Sequence, residues 1–169
     1  MKRLTLFLSL IFLSFFVFSQ KNESADRKDI KKLLSTFMNC LIKKDSVTFY
    51  NLFHNEPIVW VGVFKDKTQQ DRLKKDSTRK NYFASSYKSF YRSISDMGAD
   101  EEKFYNIDIN EDGNIAAVTF DYSFWESRKK INWGKESWGL VKINGQWKIT
   151  SVIFSLEFES INPEPNKKK

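Results

Sequence analysis

Residues Trp138 to Ser155 read WGLVKINGQWKITSVIFS. Two strands, from about Trp133 to Ile143 and from Gln146 to Phe158, meet there at Asn144-Gly145, a type I′ hairpin signal because both residues tolerate positive φ. Upstream, Ile115 to Glu126 alternates by twos. Ala116, Val118, Phe120, Tyr122 and Phe124 fall on one face, and Ala117, Thr119, Asp121 and Ser123 on the other. Ser127 to Asn132 reads as a loop between these strands. Glu102 to Ile109 leads into Asn110-Glu111-Asp112-Gly113, a turn with glycine where positive φ is needed. The C-terminal half is thus a four-strand antiparallel meander.

Ahead of it the period changes. Ile30, Leu33, Leu34, Phe37, Met38, Leu41 and Ile42 recur at helical spacing and share one stripe between Asp26 and Lys44. Ser24 or Asp26 can cap this helix. A short helix opens at Asp45 or Ser46 and carries Val47, Tyr50, Leu52 and Phe53, with Pro57 beyond its end. Ile58 to Phe64, nearly all apolar and containing Trp60, predicts a buried strand. Lys65 to Lys80 (KDKTQQDRLKKDSTRK) reads either as a solvated connector or as a basic loop at the mouth of a site. A third helix, capped by Thr78, is expected to align Tyr82, Phe83, Tyr87, Phe90, Tyr91 and Ile94, with Gly98 ending it.

Three helices followed by long antiparallel strands describe an α+β fold, with helices on one face of a curved sheet. Such strands twist and coil, so the sheet bends into a cone around an apolar interior. The opening helix, the Tyr50-Asn51-Leu52-Phe53 segment before the Trp60 strand, and the Trp138–Ser155 hairpin together resemble the nuclear transport factor 2-like superfamily. That superfamily includes SnoaL-like polyketide cyclase and ketosteroid isomerase branches. The resemblance implies a cystatin-like cone of three N-terminal helices on a curved antiparallel sheet. Trp147-Lys148-Ile149 and Ser155 fit the family's last strand, but Ser151 and Ile153 stand where histidines are expected. The isomerase branch implies a catalytic carboxylate on the first strand, and Val59-Trp60-Val61 offers none. That chemistry needs a carboxylate base.

Composition frames these readings. The chain has 169 residues, 41% apolar, with 27 aromatic residues, six Gly and three Pro, which excludes collagen-like and disordered classes. One cysteine excludes an internal disulfide framework. Met1 to Ser19 has the layout of a secretory signal peptide: Lys2 and Arg3, an apolar run from Leu4 to Phe18, and small residues Val17 and Ser19 before the cleavage point. The alternative, an uncleaved anchor, meets a run shorter than the roughly 20 residues a bilayer requires. No cysteine follows the cleavage point, which excludes a lipoprotein anchor. The mature protein is expected to be periplasmic or secreted, without a membrane attachment. Cys40, on the flank of the first helix, reads as a buried inert thiol, with intermolecular pairing as the alternative. Asn22-Glu23-Ser24 matches a glycosylation triplet, a motif common by chance. The domain is placed at residues 24–161, and residues 162–169 predict a disordered basic tail. Leader and tail remove much of the net charge of +7, leaving 23 basic and 20 acidic residues between Gln20 and Ile161.

Candidate chemistry is sparse. His54 is the sole histidine; it reads as a base oriented by Glu56 or as a helix-terminal residue favoured by the dipole. One His and one Cys cannot assemble a zinc site, and no phosphate loop, dinucleotide fingerprint or nucleophile elbow is present. No metal or cofactor is implied. Trp60, Tyr87, Phe120, Tyr122 and Trp138 are the candidate walls of the cone, either lining a ligand cavity or filling it. Asp121 is expected to point outward. Scattered lysines and export argue against nucleic acid. The expectation is a non-catalytic binder of a small apolar, aromatic or amphipathic molecule, able to form a homodimer through its sheet face. The alternatives are a cyclase- or hydrolase-type enzyme using His54 and pocket tyrosines, and a dimerising structural module.

Overall fold

The computed structural model describes residues 23–55, 57–94 and 100–165; the expected leader and its cleavage point lie outside them. Helices α1 (Ala25–Lys43) and α2 (Ser46–Asn51) precede strand β1 (Val59–Phe64). Helix α3 (Asp66–Lys75), strand β2 (Tyr82–Ala84) and helix α4 (Tyr87–Ser93) follow. The meander is β3 (Glu101–Glu111), β4 (Ile115–Glu126), β5 (Lys129–Ile143) and β6 (Gln146–Phe158). The sheet order is β2-β1-β6-β5-β4-β3, antiparallel except where β1 runs parallel to β6. This is the expected α+β architecture, with four helices rather than three among the described residues.

Turn chemistry and bulges shape the sheet. Gly113 (φ 89°) and the Asn144-Gly145 pair (49° and 77°) take the left-handed conformations their turns require. The loop expected at Ser127–Asn132 is instead a two-residue turn. Ser127 (φ 47°) and Arg128 (φ 68°) both enter the left-handed region, and β5 begins at Lys129, paired with Glu126. Register shifts at Tyr105/Asp108, Phe124/Trp125 and Gly139/Leu140 insert local bends, which increase twist and curl the sheet toward the helices.

The α1 stripe buries Ile30, Leu33, Leu34, Phe37, Cys40 and Leu41, while Ile42 stays largely exposed. Ser24 is the cap, its hydroxyl accepting the Arg27 N–H at 3.0 Å. Asp26 is used differently. It accepts from Lys142 Nζ and from Trp147 Nε1, tying the helix to the closing hairpin. Phe37, Phe49, Phe120 and Trp138 fill the narrow end of the cone, each fully buried. Burial of such a side chain stabilises by about 1.5–3 kcal/mol.

Three expectations are corrected. Lys65–Lys80 is neither connector nor loop: Asp66–Lys75 is helical, although it has no apolar stripe. It docks through a polar anchor, buried Thr68, whose N–H and hydroxyl both donate to buried Glu157 on β6. The third helix starts later than expected, with Ser86 rather than Thr78 as its cap. Tyr82 and Phe83 belong to the edge strand β2, because β1 offers them a pairing register opposite Val63 and Gly62. Finally, residues 162–165 are held, not loose. Trp133 Nε1 donates to the Asn162 carbonyl, and Glu164 accepts from Tyr105 and Lys130.

Gly134 stands opposite Tyr122 where the Ser155 carbonyl turns inward to accept the Tyr122 hydroxyl at 3.1 Å. A methyl group at Gly134 would collide with that carbonyl. Gly134→Ala should therefore cost about 1–3 kcal/mol, read as a lowered Tm in thermal unfolding. An unchanged Tm would show that this close approach is dispensable.

Candidate functional site

Beyond the filled narrow end, the helices and sheet diverge around a cavity of about 470 Å³. Its sheet wall is built by Trp60, Phe83, Tyr122, Phe124, Phe154 and Leu156; Phe37 of α1 and Phe90, Ser89 and Ser93 of α4 face them. Gly62 makes the β1 side possible. A side chain there would meet the Phe83 ring at 2.5 Å and the Phe154 ring at 2.8 Å, so its absence lets both rings turn inward.

Ser85, Ile94 and Asn132 also line it, and two acidic side chains join them. Residues directly opposite in adjacent strands share a face, and Tyr122 faces inward on β4. Its inward neighbours Phe120 and Phe124 pair with Glu136 on β5 and Glu102 on β3. Strand alternation thus brings one carboxyl from each flanking strand into the cavity. Both are buried, at 5% exposure for Glu102 and 6% for Glu136. Their carboxyl groups are hydrogen-bonded to each other. Glu136 Oε2 also accepts the Trp138 Nε1–H at 2.6 Å.

Two carboxylates cannot both stay ionised in so apolar a setting. Burial first, then the charge of and hydrogen bond to Glu136, raise Glu102 well above the usual carboxyl range. Burial also pushes Glu136 up, to about 7, against the opposing hydrogen bonds from Trp138 and Glu102. Once Glu136 has ionised, above about pH 7, the pair therefore shares one proton, Glu102 donating to the Glu136 carboxylate. Tyr122 is held neutral by burial and by the nearby Glu136 and Glu102 charge. Such a pair offers an acceptor, a donor and one negative charge at an aromatic wall.

Of the five candidate wall residues, Trp60 and Tyr122 line the cavity. Phe120 and Trp138 lie beneath it in the filled core, their rings 5.1 Å apart. Tyr87 turns aside to stack on Phe53 at 4.2 Å. His54 follows α2, donates its backbone N–H to the Ile149 carbonyl at 2.9 Å, and is not among the lining residues. Glu56, its expected partner, lies outside the described residues. No residue of 65–80 lines the cavity, so that basic segment does not form its mouth. Asp121 points outward as expected, paired with Lys135 at 3.1 Å. Among the described residues no group of His, Cys, Asp and Glu is arranged to hold a metal. Glu102 and Glu136 escaped the sequence reading, although Glu136 falls in phase with Trp138 and Leu140.

No family profile and no curated protein matches the chain. Solved structures do match, at the level of fold. An NTF2-like protein of unknown function from Pseudomonas putida is 13% identical, with a TM-score of 0.60 over 87% of this chain and 99% of its own. A cystatin-like protein of unknown function from Nostoc punctiforme gives 0.58 at 13% identity, over 80% and 93%. A Novosphingobium aromaticivorans protein provisionally named a scytalone dehydratase gives 0.59 at 15% identity, over 79% and 85%. The chain has the cystatin-like, NTF2-like fold that its sequence resembles.

The carboxyl pair makes stability pH-dependent. Between the ordinary value of 4.5 and about 7, the folded protein retains protons that the unfolded chain has released, so stability falls as pH rises. Glu136→Gln removes this term. Its Tm should exceed that of the native protein near pH 8, by up to roughly 3 kcal/mol of stability, with the gap closing toward pH 4.5. A gap independent of pH would contradict the shared-proton arrangement. Cys40, at 3% exposure and with burial raising its thiol to about 11, should resist alkylation in the native state at about pH 8 and react on unfolding. Rapid native labelling, followed by mass spectrometry, would refute the inert-thiol reading.

Proposed function

We propose that this protein binds a small, largely apolar molecule in the cone cavity, its polar group met by Glu102 and Glu136. The observation that carries this reading is the cavity itself: about 470 Å³, aromatic walls, and a buried carboxyl pair on the inner face. Small-molecule sites typically span 300–1,000 Å³ with apolar walls and few polar groups. The leader-like Met1–Ser19 segment supports binding outside the cytoplasm, in the periplasm or the medium. The exposed Val59, Ile115 and Ile153 support pairing of two copies through the outer sheet face.

A second reading is favoured by the shared proton. Glu136 as base and Glu102 as acid could relay a proton on the bound molecule, since catalytic pKa values near operating pH suit such transfer. Elimination of water is one reaction of that class, and one structural neighbour carries a dehydratase name. In this reading the carboxyl pair takes the role that His54 was given from sequence.

Ser89 is exposed at the cavity mouth, and tryptophan there would block entry. The uncharged fluorophore N-phenyl-1-naphthylamine should brighten on binding the native protein, and Ser89→Trp should weaken it about ten-fold or more without lowering Tm. Absence of binding, or equal binding by the variant, would remove the cavity reading.

A further inference from the structure

The cavity is chemically one-sided. Its described lining includes two carboxyl groups and no lysine, arginine or histidine, in a chain with 28 basic residues. Among the described residues the donors reaching the pair are the Trp138 N–H and the shared proton. Two carboxyl groups can accept several more hydrogen bonds than these. When the pair ionises, one negative charge stands against aromatic walls with no cationic side chain among the described lining residues. A buried charge is costly unless a partner of opposite sign and hydrogen-bond donors reach it. Trp60, Phe90, Tyr122 and Phe124 line the same space, and aromatic faces attract cations.

We propose that the ligand is an organic ammonium ion: a protonated primary or secondary amine on a small aromatic or aliphatic body, its N–H donors received by Glu136 and Glu102. This inference rests on the cavity-binding reading and names its ligand class. An ammonium group supplies the missing charge and donors together, while its body replaces water against the aromatic walls. A carboxylate ligand would face like charge, and an alcohol would leave the charge unpaired.

Three compounds of nearly equal shape test this by calorimetry at about pH 7.5: 3-phenylpropylamine, 3-phenylpropan-1-ol and 3-phenylpropanoate. The amine should bind at least about ten-fold tighter than the alcohol, and the carboxylate more weakly than either. Glu136→Gln should cost the amine about ten-fold and leave the alcohol nearly unchanged. Because that variant also alters the contact with Trp138, the native protein supplies a second measurement. Among the described residues, the polar groups facing the pair are the neutral Tyr122 hydroxyl on β4 and, on β5, the Trp138 N–H and the uncharged Asn132 amide. The cavity faces of α1 and α4 present Phe37, Phe90 and serines without charge. Amine affinity should therefore rise from about pH 5 to about pH 8 as the pair ionises, while alcohol affinity stays level. Equal affinity for amine and alcohol, or a flat pH series for the amine, would overturn the ammonium assignment and leave the cavity reading standing. Failure of all three compounds and of N-phenyl-1-naphthylamine would instead overturn the cavity reading.

Discussion

Tyr122 stands between two carboxyl groups because a strand shows alternate side chains to alternate faces, and β4 is held on both edges by strands in register with it. The same rule places Phe120 and Val118 in the filled core, Tyr122 and Phe124 in the cavity wall, and Asp121 outside. A slip of one residue in either ladder would exchange these faces, burying Asp121 and expelling the aromatic rings. Core, cavity and acidic pair are three depths along one inward face. The Gly134 gap and the inward Ser155 carbonyl then fix how far the Tyr122 hydroxyl can reach.

The acidic residues follow a shared logic. The described residues that are both charged and buried are Asp100, Glu102, Glu136 and Glu157, all acidic. Outside the cavity, carboxylates act as clamps. Asp100 receives Lys44 at the end of α1, and Glu157 receives Thr68 of α3. Asp26 and Glu164, less buried, fasten the start of α1 and the chain after β6 in the same way. Each joins a peripheral element to the sheet with charge-assisted hydrogen bonds, which are stronger than neutral ones. Glu102 and Glu136 depart from this pattern: they are bonded to each other and fasten no peripheral element to the sheet.

This division explains what was legible in the sequence. Where an element is anchored by apolar contact, its period declares it: the alternation of β4, the Asn144-Gly145 turn and, save for exposed Ile42, the Ile30–Ile42 stripe stand as read. Where the anchor is polar, periodicity is silent. Helix α3 buries a threonine against a glutamate, so its sequence resembles a solvated connector. The segment after β6 is fastened by Glu164 and by the Asn162 carbonyl, which composition counts as loose polar tail. The site divided likewise. Trp60 and Tyr122 declare themselves as aromatic residues on inward faces, whereas nothing in composition singles out Glu102 and Glu136 from the other acidic residues. The phase of Glu136 with Trp138 and Leu140 was the available signal. Phe120, Trp138 and Tyr87 were drawn into the expected lining because inward orientation does not reveal depth along the cone.

The parallel pairing of β1 with β6 sets the order in which this molecule can become whole. Val59 is laid against Ser151, so β1 finds this partner only after the whole meander between them exists. Contacts so distant in sequence slow folding, because loop-closure entropy is spent before they form. Until β6 arrives, Trp60 and Phe83 have no sheet to stand on, and the wall opposite α4 is missing. The meander can pair by local hairpins, but the receptacle is assembled last.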